Sequence, residues 1–260
     1  MTLREIFANQ ETDPVPVAVR IGDLVHGLRI TGADPATGAL ADSLEAQSEQ
    51  ALTNLRSAIE AAGGSLDNVA QVSFFFKAFQ GSTMREVINP LWEKLFTDPD
   101  RRPTYKFMPA TGLPEGQLVH LEFWAVLGES RRSIQIPGVA HTNPIPFGVR
   151  MGRYLFSSRC LPADPATGKN PEGLERQLEC SLGNASTLLE HAGLAWADVT
   201  QGRAFLTDNA NLPAIEAAWR AKFVDSAPAP LAPVLYGIGG NAHVYIEFIA
   251  VDRAAEEARP

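Results

Sequence analysis

Ala33-Asp34-Pro35-Ala36-Thr37-Gly38 occurs a second time, letter for letter, as Ala163-Asp164-Pro165-Ala166-Thr167-Gly168. The offset of 130 positions is half of the 260-residue chain, and it holds outward from the hexapeptide in both directions. Upstream, Pro16, Val19, Arg20, Gly22 and Arg29 meet Pro146, Val149, Arg150, Gly152 and Arg159. Downstream, Leu44, Gln47, Leu52, Asn54, Ala62, Gly63, Val69, Gln71 and Phe75 meet Leu174, Gln177, Leu182, Asn184, Ala192, Gly193, Val199, Gln201 and Phe205. The offset then shrinks to 127 at Trp92/Trp219 and Phe96/Phe223, and to 125 at Glu122-Phe123/Glu247-Phe248. The second copy is therefore shorter in its late loops. Self-similarity of this period marks a duplicated domain rather than a solenoid unit.

Within each copy the pattern predicts the same element order. Two short strands between Val15 and Ile30 turn at Gly22-Asp23, and the hexapeptide is a second turn, with Pro restricting φ and Gly free to take positive φ. Leu44, Ala51, Leu52, Leu55, Ala58, Ile59 and Ala62 keep helical spacing, and Gly63-Gly64 ends that helix. A continuous apolar strand covers 69–76, a second helix about 83–96, and strands follow near 103–108 and 118–127. The second copy predicts strands near 147–161, a helix near 173–192, a strand near 198–206, a helix near 211–223 and strands near 232–238 and 242–252. Strands and helices mix without strict alternation, so each half reads as an α+β domain with its helices on one sheet face. The expected boundaries are an N-terminal arm over 1–14, a first domain over 15–130, a linker over 131–145 and a second domain over 146–255.

A hydrophobic share of 45% lets each half bury a core. The formal charge of −8 and the absence of basic clusters argue against nucleic acid as a partner. No apolar run approaches the roughly 18 residues of a membrane span. Met1-Thr2-Leu3-Arg4-Glu5 does not read as a signal peptide. Cys160 and Cys180 sit in no metal or redox motif, which makes a reducing cytoplasm the expected compartment. The five histidines show no metal spacing, so neither metal nor cofactor is expected.

The order of motifs resembles the RidA family, also called YjgF, whose members are enamine/imine deaminases. The segment Ser158-Arg159-Cys160-Leu161-Pro162 before Asp164-Pro165-Ala166-Thr167-Gly168 is similar to that family's Ser-Gly-Gln-Ile-Pro strand end and Asp-Pro-x-Thr-Gly turn; Leu28-Arg29-Ile30-Thr31-Gly32 is its weaker first copy. The helices ending at Gly63 and Gly193 follow, then Phe205-Leu206-Thr207-Asp208. Leu121-Glu122-Phe123-Trp124-Ala125 and Ile246-Glu247-Phe248-Ile249-Ala250 match the closing Ile-Glu-x-x-Ala strand. The resemblance covers nearly the whole chain, twice. It implies two tandem RidA-like (chorismate-mutase-like) domains, each a mixed sheet with two helices on one face. It further implies a cofactor-independent hydrolase acting on C–N bonds of a small anionic substrate, and a homotrimer. A non-catalytic metabolite-binding protein, or another hydrolase or lyase on the same fold, stays open.

The family holds its substrate carboxylate with an Arg two residues after a Pro. Here Pro103-Thr104-Tyr105 puts Tyr105 at that position, lining the pocket, and Pro230-Leu231-Ala232 puts Ala232 there. Arg29 and Arg159 stand where the family has the Gly of its Ser-Gly-Gln run. They read either as a relocated clamp, because a guanidinium fork pairs with a carboxylate, or as structural ion-pair residues. Glu122 and Glu247, set in apolar strands, read as general acid/base groups that activate water, or as outward strand residues. The resemblance adds Ser158 and Cys160 to the substrate-binding segment, although Cys160 equally suits a small buried position. His120 lies two residues before Glu122 and could share its face. Arg20 and Arg150 read as solvated. An aminomuconate-like carboxylate would suit a pocket rebuilt in this way.

Overall fold

A computed structural model describes residues 4–7, 16–77, 81–236 and 240–254. It divides into two compact units, Met1–Arg131 and Arg132–Pro260. In the first unit the elements run β1 (Arg4–Phe7), β2 (Ala18–Ile21), β3 (Leu24–Thr31), α1 (Leu44–Ala61), β4 (Val69–Phe76), α2 (Gly81–Leu95), β5 (Thr104–Pro109) and β6 (Val119–Val126). The second runs β7 (Arg132–Ile134), β8 (Gly148–Met151), β9 (Tyr154–Ser157), α3 (Leu174–Ala192), β10 (Val199–Leu206), α4 (Leu212–Arg220), β11 (Leu231–Leu235) and β12 (Val244–Val251).

Both sheets have one topology: β1-β2-β3-β6-β4-β5 in the first unit and β7-β8-β9-β12-β10-β11 in the second. The β4–β5 and β10–β11 pairs are parallel and the rest antiparallel. A parallel pair needs a crossover, which α2 and α4 supply. The edge strands depart from expectation. Residues 4–7, in the expected arm, form β1, and residues 132–134, in the expected linker, form the corresponding strand β7. The remainder of the arm lies outside the described residues.

Helices α1 and α3 bury one stripe each, through Leu52, Leu55 and Ile59 and through Leu178, Leu182, Leu188 and Leu189. Rings fill the space beneath them. Phe74, Trp92, Tyr105 and Phe107 interlock in the first unit, Trp196, Trp219 and Phe223 in the second. Gly202 makes room for Trp219: a Cβ there would lie 2.5 Å from the indole. Arg20 and Arg150 bond the carbonyls of Ala62 and Ala192 and so cap the two long helices, where solvated side chains were expected.

The repeated amides Gln47 and Gln177 are fully buried. Gln47 Nε2 donates to the carbonyls of Ala41 (2.6 Å) and Gly116 (2.7 Å), and its Oε1 accepts from Leu118 N at 2.8 Å. Gln177 makes the same three bonds to Pro171 O (2.8 Å), Asn241 O (2.7 Å) and His243 N (2.7 Å). Removing either side chain orphans three backbone groups, each costing about 1–3 kcal/mol when left unpaired. Gln47→Ala and Gln177→Ala are each expected to lower stability by about 3 kcal/mol or more. Urea unfolding followed by circular dichroism checks this, and a midpoint unchanged from the parent would contradict it.

Candidate active site

The face of each sheet away from its helices carries the candidate glutamates and arginines. In the first unit, Gly27 pairs with Phe123 and Ile30 with Leu121, so two residues, Leu28 and Arg29, oppose the single Glu122. This is a β-bulge, and Arg29 sits at φ 57° within it. In the second unit Phe156 pairs with Ile249 and Cys160 with Ile246, so the three residues Ser157-Ser158-Arg159 oppose the two residues Glu247-Phe248, again one residue in excess. Each of the two candidate arginines thus lies beside the candidate glutamate of its own unit.

Continuing across each sheet, Glu122 pairs with Ser73 and Ser73 with Lys106. Glu247 pairs with Arg203. Since Gly202 pairs with Leu231 as Val72 does with Tyr105, the counterpart of Tyr105 is Leu231 and that of Lys106 is Ala232. The two copies therefore hold a cation in this row one strand apart: Lys106 on β5 in the first, Arg203 on β10 in the second. Arg203 Nη1 bonds Glu247 Oε1 at 3.0 Å, and Glu247 is 4% exposed. The adjacent guanidinium offsets part of the cost of enclosing that carboxylate. Neither cation was singled out from the sequence. The available signal was a lone basic residue inside each of the two strands.

Three expected substrate contacts are not supported by the geometry. Tyr105 points to the helix side, 2% exposed, with its hydroxyl donating to Asn89 Oδ1. Its side chain faces the core because the β5 register puts it beside Phe74, so it does not line a pocket on the Glu122 face. Cys160 is fully buried in the second core, and burial together with Glu247 pushes its thiol well above the ordinary range. It is neither a thiolate nor a surface contact. Ser158 is 2% exposed, and its Oγ lies 2.6 Å from His141 Nε2. His141 stacks on Phe147 at 4.1 Å. Burial, with Arg159 adding to it, holds His141 down at about 3, so the imidazole is neutral at physiological pH.

Of the two candidate arginines, Arg159 is the more enclosed. Its guanidinium lies 4.3 Å from the ring centre of Phe205 and 4.4 Å from that of Tyr236. Lying over two rings fixes the guanidinium in place and with it the direction of its N–H fork. Arg29 is exposed. His120 stacks on Phe75 at 4.8 Å, on the Glu122 face, and burial followed by Arg29 lowers its pKa. The hexapeptides form the turns expected of them: Asp34 Oδ1 accepts from Ala36 N and Thr37 N, and Asp164 Oδ1 from Ala166 N. No helix among the described residues is long and apolar enough to cross a membrane.

The family model of Endoribonuclease L-PSP matches residues 8–127 and again 140–252. The 2-iminobutanoate/2-iminopropanoate deaminase of Escherichia coli K12 is 28% identical over 117 residues, 44% of this chain and 91% of the relative. A RutC family protein of Aquifex aeolicus is 30% identical over 116 residues, 42% and 92% of the two chains. Among solved structures, the YjgF gene product of E. coli matches 47% of this chain and 99% of its own, at 28% identity and a TM-score of 0.43. With a single-domain family matched on both halves, the chain belongs to the Endoribonuclease L-PSP (RidA) family and carries its domain twice.

Proposed function

We propose that the chain hydrolyses an imine or enamine that bears a carboxylate, giving the carbonyl compound and ammonia. The observation that carries this reading is the arginine bulge set against a strand glutamate in the same register in both units. The deaminase name of a relative that aligns over nearly its full length supports the same chemistry. Conjugated, aminomuconate-like carboxylates are the larger members of the proposed substrate class.

In the second unit the fork of Arg159 takes the substrate carboxylate and Glu247 serves as the base. The imine carbon is electrophilic once its nitrogen is protonated. Water adds to that carbon as Glu247 removes one of its protons, forming a carbinolamine. The amino nitrogen then receives that proton, the C–N bond breaks with its electron pair on nitrogen, and ammonia leaves. The hydroxyl proton passes to Glu247 as the carbonyl forms, and its return to the medium, where the iminium proton came from, closes the cycle. The net change is imine plus water to carbonyl plus ammonia. Positioning and a fixed field supply most of what such a reaction needs.

The second unit is the more complete site, because Arg159 is stacked and Glu247 is oriented by Arg203. Ammonia release from 2-imino acids generated in situ tests the reaction; binding of the oxo acid without turnover would favour a metabolite-binding protein instead. Glu247→Gln is expected to lower kcat by about 10²-fold or more, the usual range for a general base. Glu122→Gln is expected to change it little, and equal losses would contradict the ranking. Family resemblance also supports a closed cyclic assembly of three chains. Light scattering should then give three times 28.1 kDa, and a mass of 28.1 kDa would exclude the trimer.

A further inference from the structure

The backbone that presents Arg159 is held on both sides of that residue. Ser158 N donates to Phe147 O at 2.8 Å, and Cys160 N to Ile246 O at 2.7 Å. A third tie is a side-chain one, and it comes from the loop between β7 and β8. His141 Nε2 and Ser158 Oγ are 2.6 Å apart, a hydrogen bond whose direction follows the imidazole tautomer. The imidazole is itself fixed, lying at 28° to the ring of Phe147 with centroids 4.1 Å apart. Phe147 thus holds Ser158 twice, once through its carbonyl and once through the histidine stacked on its ring.

The first unit shows what the arrangement lacks without that histidine. Leu28 N donates to Val17 O at 2.7 Å, the same backbone bond at the same repeat positions. Leu28 has no hydroxyl, and Val17 has no ring on which an imidazole could stack. Arg29 there is exposed and takes a left-handed backbone conformation. Arg159, in contrast, is partly buried and set against two aromatic rings. An arginine already in place avoids the entropy cost of ordering a long side chain when ligand binds.

We propose that His141 is a positioning residue: through Ser158 it fixes the loop that presents Arg159, so that the anion clamp of the second unit is formed before the ligand arrives. This rests on the reading that Arg159 takes the substrate carboxylate. A neutral imidazole suits the role, because an imidazolium beside the guanidinium would repel it, and burial with the Arg159 charge keeps His141 neutral. The hydroxyl of Ser158 is then a structural tether, and its burial is explained without any contact to substrate.

Two variants of the full chain separate tethering from packing. His141→Phe keeps a ring for Phe147 and loses the bond to Ser158. His141→Gln loses the stack but keeps an amide able to donate or accept. Calorimetric binding of 2-oxobutanoate, the carbonyl product of 2-iminobutanoate, is measured beside steady-state ammonia release. His141→Phe is expected to weaken binding and raise KM by about tenfold, ~1.4 kcal/mol, with kcat within about twofold. Ser158→Ala should match it, and His141→Gln should recover most of the loss. In an Arg159→Ala background, His141→Phe should add nothing, since the histidine acts only through the arginine. His141→Phe and Ser158→Ala binding as the parent does would overturn the positioning role while leaving the deaminase reading intact. So would equal losses in kcat and melting temperature from the Phe and Gln variants. A parent chain that neither binds 2-oxobutanoate nor releases ammonia would overturn the deaminase reading, and this inference with it.

Discussion

In each unit one buried amide joins three parts of the fold that would otherwise be independent. Gln47 and Gln177 lie on the long helices, yet their bonds go to the chain entering the helix and to the loop that opens the last strand. A second amide, two turns on, does the same for the turn: Asn54 Nδ2 donates to Thr31 O and Ala33 O, both at 2.8 Å, and Asn184 to Leu161 O and Ala163 O. The helix therefore sets the positions of the segment just after the bulge and of the strand that carries the glutamate. Buried backbone groups in irregular segments must find partners, and here the helix supplies them.

That support makes the bulge useful. A regular strand alternates its faces, so a residue one step along points into the core. One extra residue against the glutamate breaks the alternation and brings a long cation to the glutamate face. The second row position has diverged between the copies. The pair Ser73 and Lys106 in one unit corresponds to Arg203 and Ala232 in the other, so each face keeps one strand cation while its distance from the glutamate differs. Where the cation is adjacent, an enclosed carboxylate becomes tolerable.

The duplication, the helices and the central strands were legible because they rest on local periodicity and on a constant offset. Arg29, Arg159, Glu122 and Glu247 were legible as candidates, since both copies retained them, but that each arginine lies beside a glutamate was not, because it follows from the strand register. The side facing of Tyr105 was not. The run Thr104-Tyr105-Lys106-Phe107-Met108 has no clear alternation, and its face is set by a parallel register made with a distant strand, where a one-residue slip inverts every side chain. Cys160 and Ser158 fell for a related reason: nothing local distinguishes the strand end that lines a site from the one that closes a core. His141 carried no signal, because its partners Phe147 and Ser158 become neighbours only when the loop folds back over the sheet.

The last residue of the first unit has a bearing on how the halves can be divided. Arg131 donates from Nη1 to the carbonyls of Leu66 (2.9 Å) and Val69 (2.7 Å), from Nε to that of Arg101, and lies over the Phe96 ring. It is 6% exposed, and the residue after it begins β7 of the other unit. A gene cut at the end of β6 would thus leave the amino-terminal product without the guanidinium that closes its base, and the carbonyls of Leu66, Asp67, Val69 and Arg101 without that partner. A cut one codon after Arg131 would keep that closure whole, so the natural seam between the halves is a single peptide bond rather than a stretch of spacer.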